Sequence, residues 1–400
     1  MAALDEAQRI HEQLIAWRRD FHMHPELGLD TERTAGIVAK TLRSLNYEVE
    51  EGVAKNGVVG LLKNGEGPVV MGRVDMDALP IQEENIVPYA SRLSDRMHAC
   101  GHDAHTAIGL GIATLMAERR ELWRGTLKLV FQPGEEGQNG AELMVREGVL
   151  ENPRPDAFLA LHIWNHLPFG AVAASPGPVM AAAEAWKAVI KGKGGHGAMP
   201  EKTMDPIVTA ALTISNLQTI VSRNVSALDT AVISVGSVRG GDAFNVIPEF
   251  VELRGTVRTY KPEVRDRVLR RLEAVIHGTV QMMGGSAKIE LLPMTPALTN
   301  DPSVTALVRD VVVDLLGQDA LEDVRTMGSE DAAFFLQEIP GCYLFVASGP
   351  DDYEDRPHHS ATFDIDERAM TNGVAVMVEA FRRLMPDQGR SPDCSPLEGT

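Results

Sequence analysis

The stretch Val69-Val-Met-Gly-Arg-Val-Asp-Met-Asp-Ala-Leu-Pro80 is a short apolar run that stops at two acidic residues, Asp75 and Asp77, and a turn. Two later segments repeat that design. Thr126–Phe131 runs into Gln132-Pro-Gly-Glu-Glu-Gly137, and Ala157–Ile163 carries His162 near its end. Short apolar runs bounded by Gly, Pro or polar residues read as strands buried on both faces. Between the first two lies Ala104–Glu118, rich in Ala, Ile and Leu, which reads as a helix. Buried strands alternating with helices predict an α/β domain with a mainly parallel sheet and helices on both faces. Ligands of such sheets bind beyond the carboxyl ends of the strands, where these polar residues fall.

Outward from this core, Ile10, Leu14, Trp17 and Phe21 recur at three and four and predict one helix in the first thirty residues. Glu32–Leu45 predicts a second. From about Ala185 the pattern changes to strand Trp186–Lys191, helix Asp205–Ser222, strands Thr230–Val238 and Phe250–Thr259, helix Pro262–Met283 and strand Lys288–Leu292. That β-α-β-β-α-β order is a split-βαβ layer. Pro302–Leu316 (helix), Tyr343–Val346 (strand) and Asp366–Leu384 (helix) then return to the first style. The expected architecture is a catalytic domain of residues 1–184 and 295–386, interrupted by an inserted α+β domain of residues 185–294. The tail from Asp387 to Thr400, with Gly, Ser and Pro throughout, is expected to be disordered.

Lys and Arg are outnumbered 38 to 56 by Asp and Glu, giving a net charge of −18. No basic face for nucleic acid is expected, nor attraction to anionic lipid. Three cysteines, Cys100, Cys342 and Cys394, are too few and scattered for a disulfide framework and suit a reducing compartment. The acidic start, Met1-Ala-Ala-Leu-Asp-Glu, does not resemble a secretory signal, and no uncharged apolar run of membrane-spanning length occurs. The expectation is a cytoplasmic protein.

Ligand-type side chains crowd four places: Asp75 and Asp77; Met97-His-Ala-Cys-Gly-His-Asp-Ala-His105; Glu135 and Glu136; and His162, joined late in the chain by His358 and His359. Singly, each reads as a core or surface residue; together they predict a metal site. Mixed sulfur, nitrogen and oxygen donors suit zinc, with manganese, cobalt or nickel as alternatives. A single catalytic zinc takes about three protein ligands. The surplus predicts two divalent cations, which would polarise an amide carbonyl and acidify a water.

These segments, with His22-Met-His-Pro-Glu-Leu-Gly28, Gly194-Gly-His-Gly197, Asn245-Val-Ile-Pro248, Gly328-Ser-Glu-Asp331 and His359-Ser-Ala-Thr-Phe-Asp364, occur in an order that resembles the aminoacylase family of metal-dependent amidohydrolases. That family includes hippurate hydrolases and auxin-conjugate hydrolases, and the match runs from about residue 10 to 385. The resemblance implies cleavage of N-acyl-amino acids, with the inserted domain as a lid that closes over the substrate and could join subunits into a homo-oligomer. It places Cys100, His102, Glu136, His162 and His359 on metal ligands, Glu135 on the general base and Asp75 on a supporting carboxylate. His196 and Asn245 fall on groups that contact the substrate carbonyl. Arg258 falls on a carboxylate holder, with Gly328 close to the same carboxylate. Gly134 and Val74 stand where Ala is common. His358 stands where the family usually has an apolar residue, so two adjacent imidazoles compete for one ligand position, and His359 keeps the spacing to Phe363-Asp364. His22, His24 and Asp103 are read as loop-shaping, Asp77 as a cap of its own turn, and Cys342 and Cys394 as without function. Alternatives on the same residues are dipeptidase or carboxypeptidase action, a Cys100 nucleophile with His102 as base, and a binding protein without catalysis.

Overall fold

The computed structural model describes residues 2–350 and 353–386; the tail from Asp387, with Cys394, lies outside them. Among the described residues two compact units are present, one formed by those up to 177 with 299–324 and those from 334 on, the other by 178–298 with 325–333. The second takes in Arg325–Ala333, a stretch that chain order alone would give to the first.

The first unit begins with helices α1 (Ala3–Arg9), α2 (His11–Met23) and α3 (Glu32–Ser44). The single helix expected over the first thirty residues is thus two, divided at Ile10, which has φ −102° and ψ 9°. The break lets each piece meet a different partner. Glu6 of α1 accepts from Arg119 Nε at 3.0 Å and Arg382 Nη2 at 2.7 Å, while Leu14 of α2 packs against Gly111. Strands β1 (Glu48–Val53), β2 (Gly57–Asn64) and β3 (Val69–Asp75) follow, then α4 (His102–Glu118), β4 (Gly125–Gln132), α5 (Gly140–Arg146), β5 (Ala157–Pro168) and β6 (Val172–Ala173).

In the second unit, β7 (Ala182–Lys191), α6 (Pro206–Asn224), β9 (Ala231–Arg239), β11 (Phe250–Thr259), α7 (Pro262–Met282) and β12 (Ser286–Thr295) keep the order read from sequence, and two short strands not read there, β8 (Gly195–His196) and β10 (Val246–Ile247), are added. The main sheet runs β9-β11-β7-β12, antiparallel throughout, the strand arrangement of a split βαβ. Its core joins Trp186, Ile190 and Leu253 to Leu217 and Ile220 of α6 and Leu272 and Ile276 of α7.

The chain returns to the first unit with α8 (Pro302–Leu316), β13 (Leu321–Glu322), β14 (Gly341–Gly349) and α9 (Arg368–Leu384). The large sheet has the order β1-β2-β4-β3-β5-β14-β6-β13. Its centre, β4-β3-β5-β14, is parallel, and β1 and β2 add an antiparallel edge. The β1–β2 hairpin was not expected from sequence because β1, Glu-Val-Glu-Glu-Gly-Val, is mostly exposed and lacks an apolar run. One face of the sheet buries Val70, Val74, Leu129, Leu161 and Leu344 with α4 and α9. Here glycine permits contact, since a Cβ at Gly72 would lie 2.7 Å from Phe381 of α9. On the other face Phe158 stacks with Phe335 at 5.5 Å between ring centres. Among the described residues, no helix is long and apolar enough to cross a membrane.

Asn300 mimics a strand partner for β14. Its Nδ2 donates to the carbonyls of Tyr343 and Ser175 at 2.9 Å, and its Oδ1 accepts from the Tyr343 amide at 2.7 Å. Asn300→Ala leaves these buried groups unpaired and is expected to lower stability by about 2–4 kcal/mol, read as a fall in denaturant midpoint at constant slope.

Candidate metal centre

The site grows from the carboxyl ends of the parallel strands. β3 pairs with β5 only from Ala157 to Ala160, so His162 lies two residues past the last pair, level with Asp75 at the end of β3. Gly101 begins that helix at φ 88°, a left-handed conformation that suits glycine. The turn swings Cys100 and His102 over the sheet. After β4, Gly134 at φ 70° turns the chain into Glu135 and Glu136. A Cβ there would lie 2.6 Å from the Leu29 side chain, so the Ala common at this position of the resembled family would be strained and crowded in this chain. His359 also adopts a positive φ, 64°, and its amide donates to Ala99 O at 2.8 Å, tying it to the Cys100 segment.

Among the described residues, three of the overlapping sets of donor atoms, each with all members within 4.8 Å of one another, are Cys100, His102 and His162; Cys100, Glu136 and His359; and His102, Glu135 and Glu136. All five sequence-expected ligands and Glu135 therefore meet in one cluster. Cys100 Sγ lies 3.5 Å from His162 Nε2. Metal bonds of ~2.3 Å to sulfur and ~2.05 Å to nitrogen, at a tetrahedral angle, give an edge of about 3.5 Å. His359 Nε2 lies 3.1 Å from Glu136 Oε1.

The imidazole protons are placed by carbonyls, which can only accept. His102 Nδ1 donates to Asp77 O at 2.8 Å and His162 Nδ1 to Ile163 O at 2.5 Å. Both rings therefore turn an Nε2 lone pair inward, and that of His102 is buried without a hydrogen bond. Fixing a ligand histidine through its other nitrogen is the usual support of a metal site. Burial, with help from His105, pushes the His162 imidazole well down, towards the neutral form that can ligate. Hydrogen bonds that His359 donates to Cys100 and Glu136 raise its imidazole to about 10. The donors fit a cation pair.

Neighbouring histidines are excluded by the same reasoning. His105 Nε2 accepts from the Ile163 amide at 2.8 Å and its Nδ1 meets Asp75 Oδ1 at 2.5 Å, so both nitrogens are used. His358 Nε2 accepts from the Asn165 amide at 3.0 Å, which puts its proton on Nδ1, 3.9 Å from Cys100 Sγ. His358 thus turns an N–H towards the cluster, whereas His359 sets its Nε2 beside Glu136 Oε1.

Asp75 sits wholly buried behind the cluster, paired with Arg73 Nη1 at 2.8 Å and His105. Burial alone would raise its carboxyl; His102, His105 and Arg73 overcome that and hold it well below its ordinary value. Asp77 does more than cap its own turn. Its Oδ1 and Oδ2 accept the Glu135 and Glu136 amides, each at 3.0 Å, while its carbonyl orients His102. The visible signal was the Asp-x-Asp spacing at a strand end. His22 and His24, read as loop-shaping, bond to helices instead: His22 of α2 meets Asp103 of α4 at 2.7 Å, and His24 donates to Asp20 O of α2 at 2.8 Å.

The remaining candidates lie in the second unit as two pairs. His196 faces Val246 across the β8–β10 ladder, next to Asn245, whose carbonyl accepts the Gly197 amide at 2.8 Å. Arg258 Nη1 donates to Ser329 Oγ at 2.6 Å, and Gly328 O accepts from Ala181 at 2.8 Å.

The sequence model of peptidase family M20/M25/M40 matches residues 71–383. The chain is 38% identical over 384 residues to an N-acetyl-L-cysteine deacetylase of Bacillus subtilis, covering 96% of this chain and 90% of that protein. It is 36% identical over 397 residues to the IAA-amino acid hydrolase ILR1-like 5 of Arabidopsis thaliana, covering 98% and 91%. Among solved structures it resembles the Bacillus subtilis YXEP protein, described as a dinuclear metal binding peptidase of the M20 family, with TM-score 0.83 and 32% identity over 94% of this chain and 99% of that one.

Asp77→Asn keeps the side-chain shape but turns an N–H donor towards one of the two backbone amides that Asp77 now accepts. It is expected to weaken zinc binding roughly 10–100-fold while leaving the melting temperature within a few degrees, as read by zinc titration against a competing chelator.

Proposed function

The chain belongs to peptidase family M20/M25/M40, and from that premise we propose that it hydrolyses N-acyl-amino acids to a carboxylic acid and a free amino acid. The membership makes it a hydrolase of amide bonds; the substrate class and the roles below are our reading. The observation that carries it is the donor cluster, with the His102 and His162 lone pairs turned towards Cys100 and Glu136 by carbonyl-fixed tautomers.

Cys100, His102, Glu136, His162 and His359 would hold two divalent cations, zinc by donor type, with manganese, cobalt or nickel as alternatives. Bound there, the cations would polarise the scissile carbonyl and acidify the attacking water. Glu135 stands beside His102 and Glu136. As general base it takes a proton from the water as the new C–O bond forms, and passes it to the nitrogen as the C–N bond breaks. Asp75 acts through His105 and Arg73, not on the substrate. In the domain read from sequence as a lid, His196 and Asn245 would meet the carbonyl oxygen. Arg258 would offer the substrate carboxylate a planar fork of donors, with the Gly328 backbone beside it. The names of the two relatives support the substrate class, since each places an amino acid on one side of the bond cleaved.

Glu135→Ala is expected to retain its cations and lose roughly 10²–10⁴-fold in kcat, measured as amine released from a panel of N-acyl-amino acids. Undiminished turnover would remove Glu135 from the mechanism. Chelation should abolish wild-type activity and added zinc, manganese or cobalt restore it. Indifference to that cycle would favour a Cys100 nucleophile instead.

A further inference from the structure

The segments that this chemistry leaves unused, around His22, Asp103 and Asp364, meet at one buried guanidinium. The Arg18 side chain, on α2, has no exposed surface. Its Nε donates to Asp103 Oδ2 at 2.9 Å, its Nη2 to Asp364 Oδ1 at 2.9 Å and its Nη1 to Glu367 Oε1 at 3.3 Å. Asp103 directly follows His102 in the first turn of α4, and Asp364 closes the segment that starts at His359. One planar fork therefore grips both limbs of the donor cluster from beneath, while the His359 amide joins them above through Ala99 O.

Each carboxylate is held a second time. Asp103 Oδ2 also meets His22 Nδ1 at 2.7 Å, and Asp364 Oδ2 accepts from the Tyr89 hydroxyl at 2.8 Å. The Tyr89 ring covers the Arg18 and Arg19 guanidinium carbons at 4.8 and 4.6 Å, and Arg19 binds Glu367 at 3.0 and 2.7 Å. Charge requires Arg18 here: without it, buried Asp103 and largely buried Asp364 would lose their shared counter-ion. Geometry requires the fork. An ammonium could supply the charge but could not fix two carboxylates on different limbs at a set distance.

We propose that Arg18 is a positioning residue for the metal centre, setting the separation between the Cys100–His102 limb and the His359 limb. This rests on the reading of that cluster as a metal centre. The test uses the full-length wild type, Arg18→Lys and Asp364→Asn, stripped of metal and titrated with zinc and with cobalt. Affinity is read by chelator competition and the cobalt site by its visible spectrum, at a temperature well below each protein's unfolding transition. Both variants are expected to bind cations roughly 10–100-fold more weakly, to show an altered cobalt spectrum, and to lose kcat with KM little changed. Asp364→Asn keeps the Arg18–Asp103 pair and decides the matter by itself if Arg18→Lys does not fold. Wild-type affinity and spectrum in the variants, whatever their melting temperatures, would overturn the proposal alone. A wild type that binds neither cation would overturn the metal reading and this proposal with it.

Discussion

The rest of the structure depends on one constraint: six side chains with lone pairs or charge must be held in mutual reach, three of them out of water and His359 half exposed. Cys100, His102 and His162 are buried almost completely, and their donor atoms face one another rather than partners that would satisfy them. Such a cluster is unfavourable by itself, because each polar atom has lost water and gained little in return. It persists only if the surroundings over-determine it. The surroundings do this by fixing the outer atom of each ring or chain segment: Asp77 and Ile163 carbonyls for two imidazoles, the Asp77 carboxylate for the Glu135–Glu136 backbone, and Arg18 for the limbs that carry the others.

The parallel sheet is what brings these groups within range. Three adjacent parallel strands release their chains at the same edge, and each carries chemistry there: Asp75 and Asp77 at the end of β3, Glu135 and Glu136 after β4, His162 level with Asp75 on β5. The fourth parallel strand, β14, leads towards His359. Sites of this kind need residues far apart in sequence, since crossover helices separate parallel strands.

Much of this was legible in the sequence because strand burial and ligand chemistry both write strong patterns. Fully buried strands appear as uninterrupted apolar runs, so β3, β4 and β5 could be read to within a residue or two at their starts. The β1–β2 edge could not, since a solvated strand rich in Glu has no such run. The division of the first helix at Ile10 was equally hidden, because Leu14, Trp17 and Phe21 continue the same apolar spacing on its far side. In the site, donor types identified the ligand candidates, but supports do not advertise themselves. Asp77 resembled a turn cap. Arg18 occupies a position between Leu14 and Phe21 on the apolar stripe of α2, and a charge on such a stripe was the one available sign that something buried required it.

The adjacent imidazoles His358 and His359 show what sequence alone cannot separate. Spacing to Phe363 favoured one, but side-chain chemistry is identical, and either could ligate. The backbone distinguishes them. With φ at 64°, His359 turns its ring towards Glu136, while His358 packs between Trp164 and Phe363, ring centres 5.3 and 5.0 Å away. The Asn165 amide fixes on His358 the same Nδ1–H tautomer that His102 and His162 carry, but in His358 it is the protonated Nδ1 that faces Cys100. Two neighbouring residues of one type thus meet different partners, His358 with an N–H towards the Cys100 sulfur and His359 with its Nε2 beside Glu136 Oε1. The distinction arises from a single backbone dihedral and one main-chain N–H, neither of which any residue-by-residue reading contains.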